Sequence, residues 1–201
     1  MSKVLVTGGS GFLGSHIADA LSDIGHEVTI LDHVESPYLR NDQSFIKGDV
    51  CDADKLVEQL SGFDYVYHLA ALADLNAAKA RPIDTVAINI QGTVNMLEAC
   101  RVNKIKRFVF GSTVYVYSRE GSFYRCSKQA CENYVEEYFN QFGLEYTILR
   151  YGSLYGPRTD MANGVYRLLK NFMDQDEMEH SGKSSDKRDY IHAFDAARLS
   201  A

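Results

Sequence analysis

Three groups of residues in this chain have types and spacings suited to chemistry. The first is the loop Gly8-Gly9-Ser10-Gly11-Phe12-Leu13-Gly14, which fits G-x-G-x-x-G at Gly9, Gly11 and Gly14 and G-x-x-G-x-x-G at Gly8, Gly11 and Gly14. Glycines there permit a tight turn and let backbone N–H groups approach a pyrophosphate. A helix starting just after offers its positive end to the phosphates. The second is Asp32, 18 residues after Gly14 at the end of an apolar run. A carboxylate at that place accepts hydrogen bonds from adenosine ribose hydroxyls and repels the extra phosphate of NADP, which points to NAD. The third is the pair Tyr124 and Lys128, four apart at a helix start and able to face the same way. Upstream, Gly111-Ser112-Thr113 ends a strand with two hydroxyls. A lone Tyr-x-x-x-Lys is common. This one gains weight because it follows the fifth strand of a dinucleotide-type pattern, whose strand ends face the ligand crevice.

The elements that must position these groups alternate along the chain. Residues 3–7 form a β-branched apolar run that stops at glycines, and residues 15–25 carry Ile17, Ala18, Leu21 and Ile24 at helical spacing. Further strands are predicted over 27–31, 45–47, 64–69, 106–111 and 145–150. Helices are predicted over 53–60, over 83–103 with Gly92 inside, and over 127–142. The strands are apolar along their length, the pattern of strands buried on both faces of a parallel sheet. The fold class is therefore α/β, a Rossmann-type doubly wound sheet. After Tyr151 the pattern changes to loops rich in Gly, Asp and Ser around a helix at 165–173, a strand at 189–192 and a helix begun at 195–201. We expect residues 1–150 to form the NAD-binding domain. Residues 151–201 are expected to form a small, truncated C-terminal substrate lobe intermixed with the Rossmann core.

Composition excludes several classes. With 201 residues, 45% of them hydrophobic, the chain can bury roughly 70% of its unfolded surface and needs no staples. The net charge is −6 with both signs interspersed, so a nucleic-acid partner is not expected. No apolar run approaches the roughly 18 residues of a spanning helix, so no membrane partner is expected. The apolar stretch after Met1-Ser2-Lys3 is too short for a signal peptide. Cys51, Cys100, Cys126 and Cys131 form no CxxC pair, which reads as reduced thiols and a cytoplasmic protein. No metal site is expected: His68 has no partner at ligand spacing and reads as a strand-end histidine packed near the sheet. Cys126 reads as a small helix residue. Gly182-Lys183-Ser184-Ser185 lacks the upstream glycine of a P-loop and reads as a loop.

Beyond these readings, the chain resembles the extended short-chain dehydrogenase/reductases, specifically the NAD-dependent epimerase/dehydratase group acting on nucleotide sugars. The matching segments are Thr7 to Gly14, Gly48-Asp49-Val50, His68-Leu69-Ala70-Ala71, Asn89-Ile90-Gln91-Gly92-Thr93, Phe110-Gly111-Ser112-Thr113 and Tyr124 to Lys128. Leu149-Arg150-Tyr151, Leu154-Tyr155-Gly156-Pro157 and Arg188-Asp189-Tyr190-Ile191-His192 follow in order. The resemblance implies that Tyr124 is the general base and acid. A phenol with an ordinary pKa of about 10 must then ionise near neutrality, a difference of about 4 kcal/mol, which Lys128 and the nicotinamide's positive charge would supply. Lys128 would also hold the nicotinamide ribose. Thr113 would hydrogen-bond the reacting sugar oxygen and relay its proton. Cofactor contacts would come from Gly8, Gly11, Phe12, Leu13 and Gly14 at the phosphates. Asp32 and His33 would serve the adenosine ribose, and Asp49 and Val50 the adenine. Leu69, Ala70, Ala71, Asn89 and Gly111 would line the groove, and Tyr151 would lie near the nicotinamide. Substrate contacts would come from Thr113, Ser153, Asn163 and Arg188, the arginine fork pairing with the sugar nucleotide's diphosphate. The implied partners are a nucleotide-diphosphate sugar and a second copy of the chain, joined through the helices at 83–103 and 127–142. The second of these helices carries the stripe Tyr134, Tyr138, Phe139 and Phe142.

The sequence also departs from the family pattern. Ten residues separate Thr113 from Tyr124, fewer than the proline-containing loop common in the family, so the substrate pocket is expected to be open. Val114 and Tyr115 stand where sugar 4,6-dehydratases carry an Asp-Glu pair. Loss of water needs an acid and a base, so dehydration is disfavoured, as is decarboxylation of a glucuronate. Ser153 stands where many members have a diphosphate-contacting asparagine. The expected activity is 4-epimerisation of a nucleotide sugar by oxidation at C4 and return of the hydride. The alternatives are a dehydrogenase, dehydratase or 4-keto-sugar reductase of the same family, and a non-catalytic NAD(H)-binding module.

Overall fold

The computed structural model describes residues 1–175 and 187–201, so the Gly182 to Ser185 loop lies outside the described residues. Six parallel strands form the main sheet: β1 (Lys3–Thr7), β2 (Glu27–Asp32), β3 (Gln43–Lys47), β4 (Tyr65–His68), β5 (Arg107–Thr113) and β6 (Tyr146–Tyr151). Their order is β3-β2-β1-β4-β5-β6, so the winding reverses between β1 and β4 and opens a crevice at those strand ends.

Successive residues of each strand enter opposite cores, which explains the unbroken apolar runs. Leu5, Leu31, Val66, Phe108 and Phe110 pack against Leu56 of α2 (Ala53–Gln59), Met96 and Leu97 of α5 (Gly92–Val102), and Cys131 and Val135 of α6 (Ser122–Phe142). Val4, Val6, Val28, Ile30 and Val109 pack on the other face against Ile17, Ala18 and Leu21 of α1 (Phe12–Asp23), and against Ala197 of α8 (Ala193–Ser200). The Tyr67 hydroxyl donates to the Ser200 carbonyl at 3.0 Å, so the final helix covers the nucleotide half of the sheet.

Several boundaries differ from expectation for identifiable reasons. Helix α1 starts at Phe12, directly on the glycine loop, and ends at Asp23. Ile24 is its exposed cap, and Gly25 takes φ +89°. The helix expected over 83–103 runs without interruption from Pro82 to Val102 but contains a different turn: α4 (Pro82–Thr85) continues into a π-helical stretch Val86–Gln91 and then α5. At the join, a Cβ on Gly92 would stand 2.7 Å from Val50 Cγ2, so glycine lets the helix meet the β3–α2 connection. Helix α6 starts five residues earlier than expected, after Gly121 at φ +90°. Two elements are additions: α3 (Leu75–Ala80), capped by Asp74 accepting from Ala77 N–H at 2.7 Å, and β7 (Ser153–Tyr155). Strand β7 pairs in parallel with β8 (Tyr190–His192), matching Ser153 to Tyr190. Helix α7 (Gly164–Gln175) follows β7. Contacts from α1 tie the segment after β7 to the nucleotide half: His16 Nε2 to the Pro157 carbonyl at 3.0 Å, and Asp19 with Arg158 at 2.7 Å.

Candidate active site

A cavity of about 540 Å³ runs along the carboxyl ends of the central strands. At one end its wall is backbone. Gly8 takes φ +69°, and a Cβ there would meet Ala70 N at 2.6 Å. A Cβ on Gly14 would stand 2.2 Å from the Gly8 carbonyl oxygen, so α1 approaches the loop only because that residue is glycine. No side chain caps the start of α1 and no acidic residue lies in its first turn, so its N–H groups and positive end are left for an anion. Asp32 stands beside this loop, accepting from Ser10 N–H at 3.1 Å and His33 N–H at 2.7 Å. The donor set therefore fits a dinucleotide with a free ribose diol: N–H groups for the phosphates and a carboxylate for the hydroxyls.

At the other end the wall is side chain. Lys128 is 2% exposed; its Nζ donates to the Gly111 carbonyl at 2.7 Å and sits 4.5 Å over the Phe110 ring. It stands 5.8 Å from the Tyr124 ring. Burial pulls Lys128 down to about 8, opposed by Cys131 and Glu132. Burial likewise pushes Tyr124 up, helped by Cys131 and Tyr115. Burial therefore sets the direction of the shift at Tyr124 in the chain by itself, away from neutrality. Thr113 is 5% exposed, accepts from Tyr115 N–H at 3.3 Å and starts the 3-10 turn Val114–Tyr117. The neighbouring Ser112 hydroxyl is committed to Glu132 Oε1 at 2.5 Å, so Thr113 is the strand-end hydroxyl free to serve a ligand.

Beneath the cavity a chain of hydrogen bonds joins the two ends. Thr93 Oγ1 donates to the Asn89 carbonyl at 2.5 Å, so His68 Nε2–H must donate to Thr93 Oγ1 at 3.1 Å. His68 Nδ1 is then the acceptor for the Thr7 hydroxyl at 2.7 Å, and Thr7 in turn accepts from Ala70 N–H at 3.3 Å. Burial, with Lys128 nearby, drops His68 to about 3, consistent with this neutral tautomer. His68 is thus a packed histidine, and no cluster suited to a metal occurs among the described residues.

Most residues singled out in the sequence meet in this cavity: Gly8, Gly11, Phe12, Leu13, Gly14, Asp32, His33, Val50, Leu69, Ala70, Ala71, Gly111, Thr113, Tyr124, Lys128 and Tyr151. Two do not line it. Asp49 is exposed and accepts from Cys51 N–H at 2.8 Å. Asn89 is buried behind the wall, its carboxamide bonded to Leu72 N–H at 2.7 Å and to the Ser127 hydroxyl at 2.9 Å. The sequence reading did not pick out Leu31, Leu72, Ala73 and Ile88, which also line the cavity, and gave no cavity role to Gly48 or Tyr115. Only Gly48 carried a signal, as a glycine after β3: a Cβ there would sit 2.9 Å from Leu31 Cγ.

A second cavity, about 700 Å³, shares Thr113, Tyr115 and Gly152 with the first and adds Val114, Ser118, Glu120, Ser153 and Arg188. Ser153 and Arg188 thus line the same cavity as Thr113, and the short segment after Thr113 forms part of the wall. Asn163 lies elsewhere: it caps α7 by accepting from Val165 N–H at 3.0 Å and donates to the Leu154 carbonyl at 2.7 Å.

Comparison with known proteins gives concordant matches. A family model described as the NAD dependent epimerase/dehydratase family matches residues 4–201. A Bacillus subtilis protein named as an uncharacterized UDP-glucose epimerase is 32% identical over 223 residues, covering 98% of this chain and 70% of its own. The structure is similar to a UDP-N-acetylglucosamine 4-epimerase from Methanobrevibacter ruminantium in complex with UDP-N-acetylmuramic acid. That match has a TM-score of 0.90 at 31% identity and covers 99% of this chain and 71% of the other. The Thermus thermophilus UDP-glucose 4-epimerase complex with NAD matches with a TM-score of 0.87 at 31% identity, covering 97% of this chain and 72% of the other. Relatives named as dTDP-glucose 4,6-dehydratases match as well.

Proposed function

The chain belongs to the NAD dependent epimerase/dehydratase family, and from that premise we propose that it is an NAD-dependent nucleotide-sugar 4-epimerase. The observation that carries this reading is that Thr113, Tyr124 and Lys128 share one groove with the phosphate loop and Asp32. The N–H groups at the start of α1 would hold the pyrophosphate and Asp32 the adenosine ribose. When bound, NAD supplies the acceptor and donor of a hydride. Tyr124 takes the proton that leaves the sugar's 4-hydroxyl and gives it back to the oxygen on the opposite face. Thr113 orients that oxygen. Burial holds Tyr124 up in the chain by itself; the Lys128 ammonium together with the positive charge of oxidised nicotinamide would bring it toward neutrality.

Residues 1–150 are the cofactor half of this reading and 151–201 contribute to the sugar side. Arg188 and Ser153, in the second cavity next to Thr113, support diphosphate binding there. Val114 and Tyr115 supply no carboxylate after Thr113, which favours epimerisation over dehydration. A homodimer through 83–103 and 127–142 is part of the proposal, supported by exposed Ile83, Tyr134, Phe139 and Phe142 on those segments. A cytoplasmic setting is likewise proposed, and the four free cysteines support it. No helix of the described residues is long and apolar enough to cross a membrane.

The test is incubation with NAD and a panel of UDP-, GDP- and dTDP-sugars, followed by proton NMR at C4. A new epimer that disappears in Tyr124→Phe is the expected result. Full turnover by Tyr124→Phe, or no conversion of any sugar, would sink the reading.

A further inference from the structure

Glu132 is a charged side chain, 10% exposed, one helical turn beyond Lys128 on α6. Its Oε1 accepts from the Ser112 hydroxyl at 2.5 Å and from Arg150 Nε at 3.0 Å, while its Oε2 accepts from Arg150 NH2 at 2.8 Å. Ser112 precedes Thr113 on β5, and Arg150 precedes Tyr151 on β6. The Arg150 guanidinium also lies 5.1 Å from the centre of the Tyr117 ring, on the turn that follows Thr113. One carboxylate therefore ties together α6, β5, β6 and the turn between the two cavities. A buried ion pair is weak evidence for stability alone, since apolar side chains of similar volume often do as well. Its partners, the residues that precede Thr113 on β5 and Tyr151 on β6, and its place one turn from Lys128 call for another explanation.

We propose that Glu132 is a positioning residue for the reaction: held by Ser112 and Arg150, it sets where Thr113 and Lys128 stand and keeps the Lys128 ammonium charged. This inference rests on the catalytic reading of Thr113, Tyr124 and Lys128. The groups around Lys128 leave the electrostatic part of that task to few residues. Strand β5 presents only the Gly111 carbonyl and the Phe110 ring, and β4 presents His68, which is neutral. The π-helical stretch presents Asn89, which does not titrate, and β6 presents Tyr151 to the same cavity. On α6 itself the titratable neighbours are Tyr124, Cys131 and Glu132. Cys131 and Tyr151 are both pushed up by burial and so remain neutral near pH 7. Glu132 is the carboxylate that opposes the loss of solvent at Lys128.

The test reads Lys128 directly. With ¹³C-labelled lysine in the full chain, the Lys128 signal is assigned by its loss in Lys128→Met and followed against pH. Glu132→Gln is expected to lower the Lys128 midpoint by about one pH unit or more. It should also cut kcat on the order of 100-fold with KM changed less than about threefold. A second variant, Ser112→Ala with Glu132→Met and Arg150→Met, replaces the whole network with apolar groups and leaves no polar atom stranded. Folded with its melting temperature restored but with the low midpoint and low kcat retained, it would support positioning. Recovery of the wild-type midpoint and kcat in that variant would overturn the proposal and leave Glu132 a fold staple. The titration needs no substrate. A wild type that converts no sugar therefore counts against the proposed function, while the Lys128 midpoint still decides the role of Glu132.

Discussion

At the phosphate end of the groove, Gly8, Gly11 and Gly14 contribute no side chain, and the ligand-facing groups are backbone N–H donors placed by the turn from β1 into α1. At the catalytic end the backbone recedes. Thr113 comes from β5, Tyr124 and Lys128 from α6, and Tyr151 from β6, and each is a side-chain-bearing residue of the cavity wall. The first end is specified within seven consecutive residues; the second needs four positions spread over 39, from Thr113 to Tyr151. A wall of backbone fails when something is added to it. A wall of functional groups fails when something is taken away.

That contrast is open to direct attack. The largest effect is expected from deletion at the catalytic end: Tyr124→Phe should lower kcat about 10³-fold, near 4 kcal/mol, with the Kd for NAD unchanged by calorimetry. Next comes addition at the phosphate end. Gly14→Ala forces a Cβ against the Gly8 carbonyl oxygen and should weaken NAD binding about 100-fold, near 3 kcal/mol, whatever the sugar. Binding lost in Tyr124→Phe, or kept in Gly14→Ala, would erase the distinction.

The tie between the two ends predicts a pH effect. His68 stays neutral in the fold down to about pH 3, whereas the unfolded chain protonates it near 6.5. The unfolded state therefore binds more protons between those values, and stability falls as pH drops. Between pH 7 and pH 5 the loss from His68 alone is about 2 kcal/mol by urea titration, and His16, also lowered by burial, adds in the same direction. The smallest effect is at Asp32. Asp32→Asn should reduce the preference for NAD over NADP about 10-fold, near 1.4 kcal/mol, in competition binding.

The same contrast governs what could be read from the residues. The phosphate end was legible because it is local: a glycine spacing, a strand before it and a carboxylate 18 residues on are all linear features. Tyr124 and Lys128 were legible as a helical pair, and the doubly wound sheet followed from unbroken apolar strands. What escaped depends on packing between distant segments. The π-helical stretch inside the helix from Pro82 to Val102 and the approach of Gly92 to Val50, across 42 positions, are not contained in helical periodicity. Asn89 lies behind the wall because its carboxamide is drawn to Leu72 and Ser127, and Asn163 is drawn to the end of α7. Strand β7 has three residues and exists only because β8 arrives beside it.

The bonds through Thr7, His68, Thr93 and Asn89 also bear on how such a chain can vary over generations. Each link has one direction: Thr7 gives a proton to His68, His68 gives one to Thr93, and Thr93 gives one to the Asn89 carbonyl. Valine at Thr7 strands the imidazole acceptor, and valine at Thr93 strands its N–H. Neither loss is made good by water, because His68 is fully enclosed. The two threonines and the histidine are therefore energetically coupled in this chain. A neutral drift that replaces one is blocked until the others change with it, and substitutions at these positions will be non-additive however they are ordered.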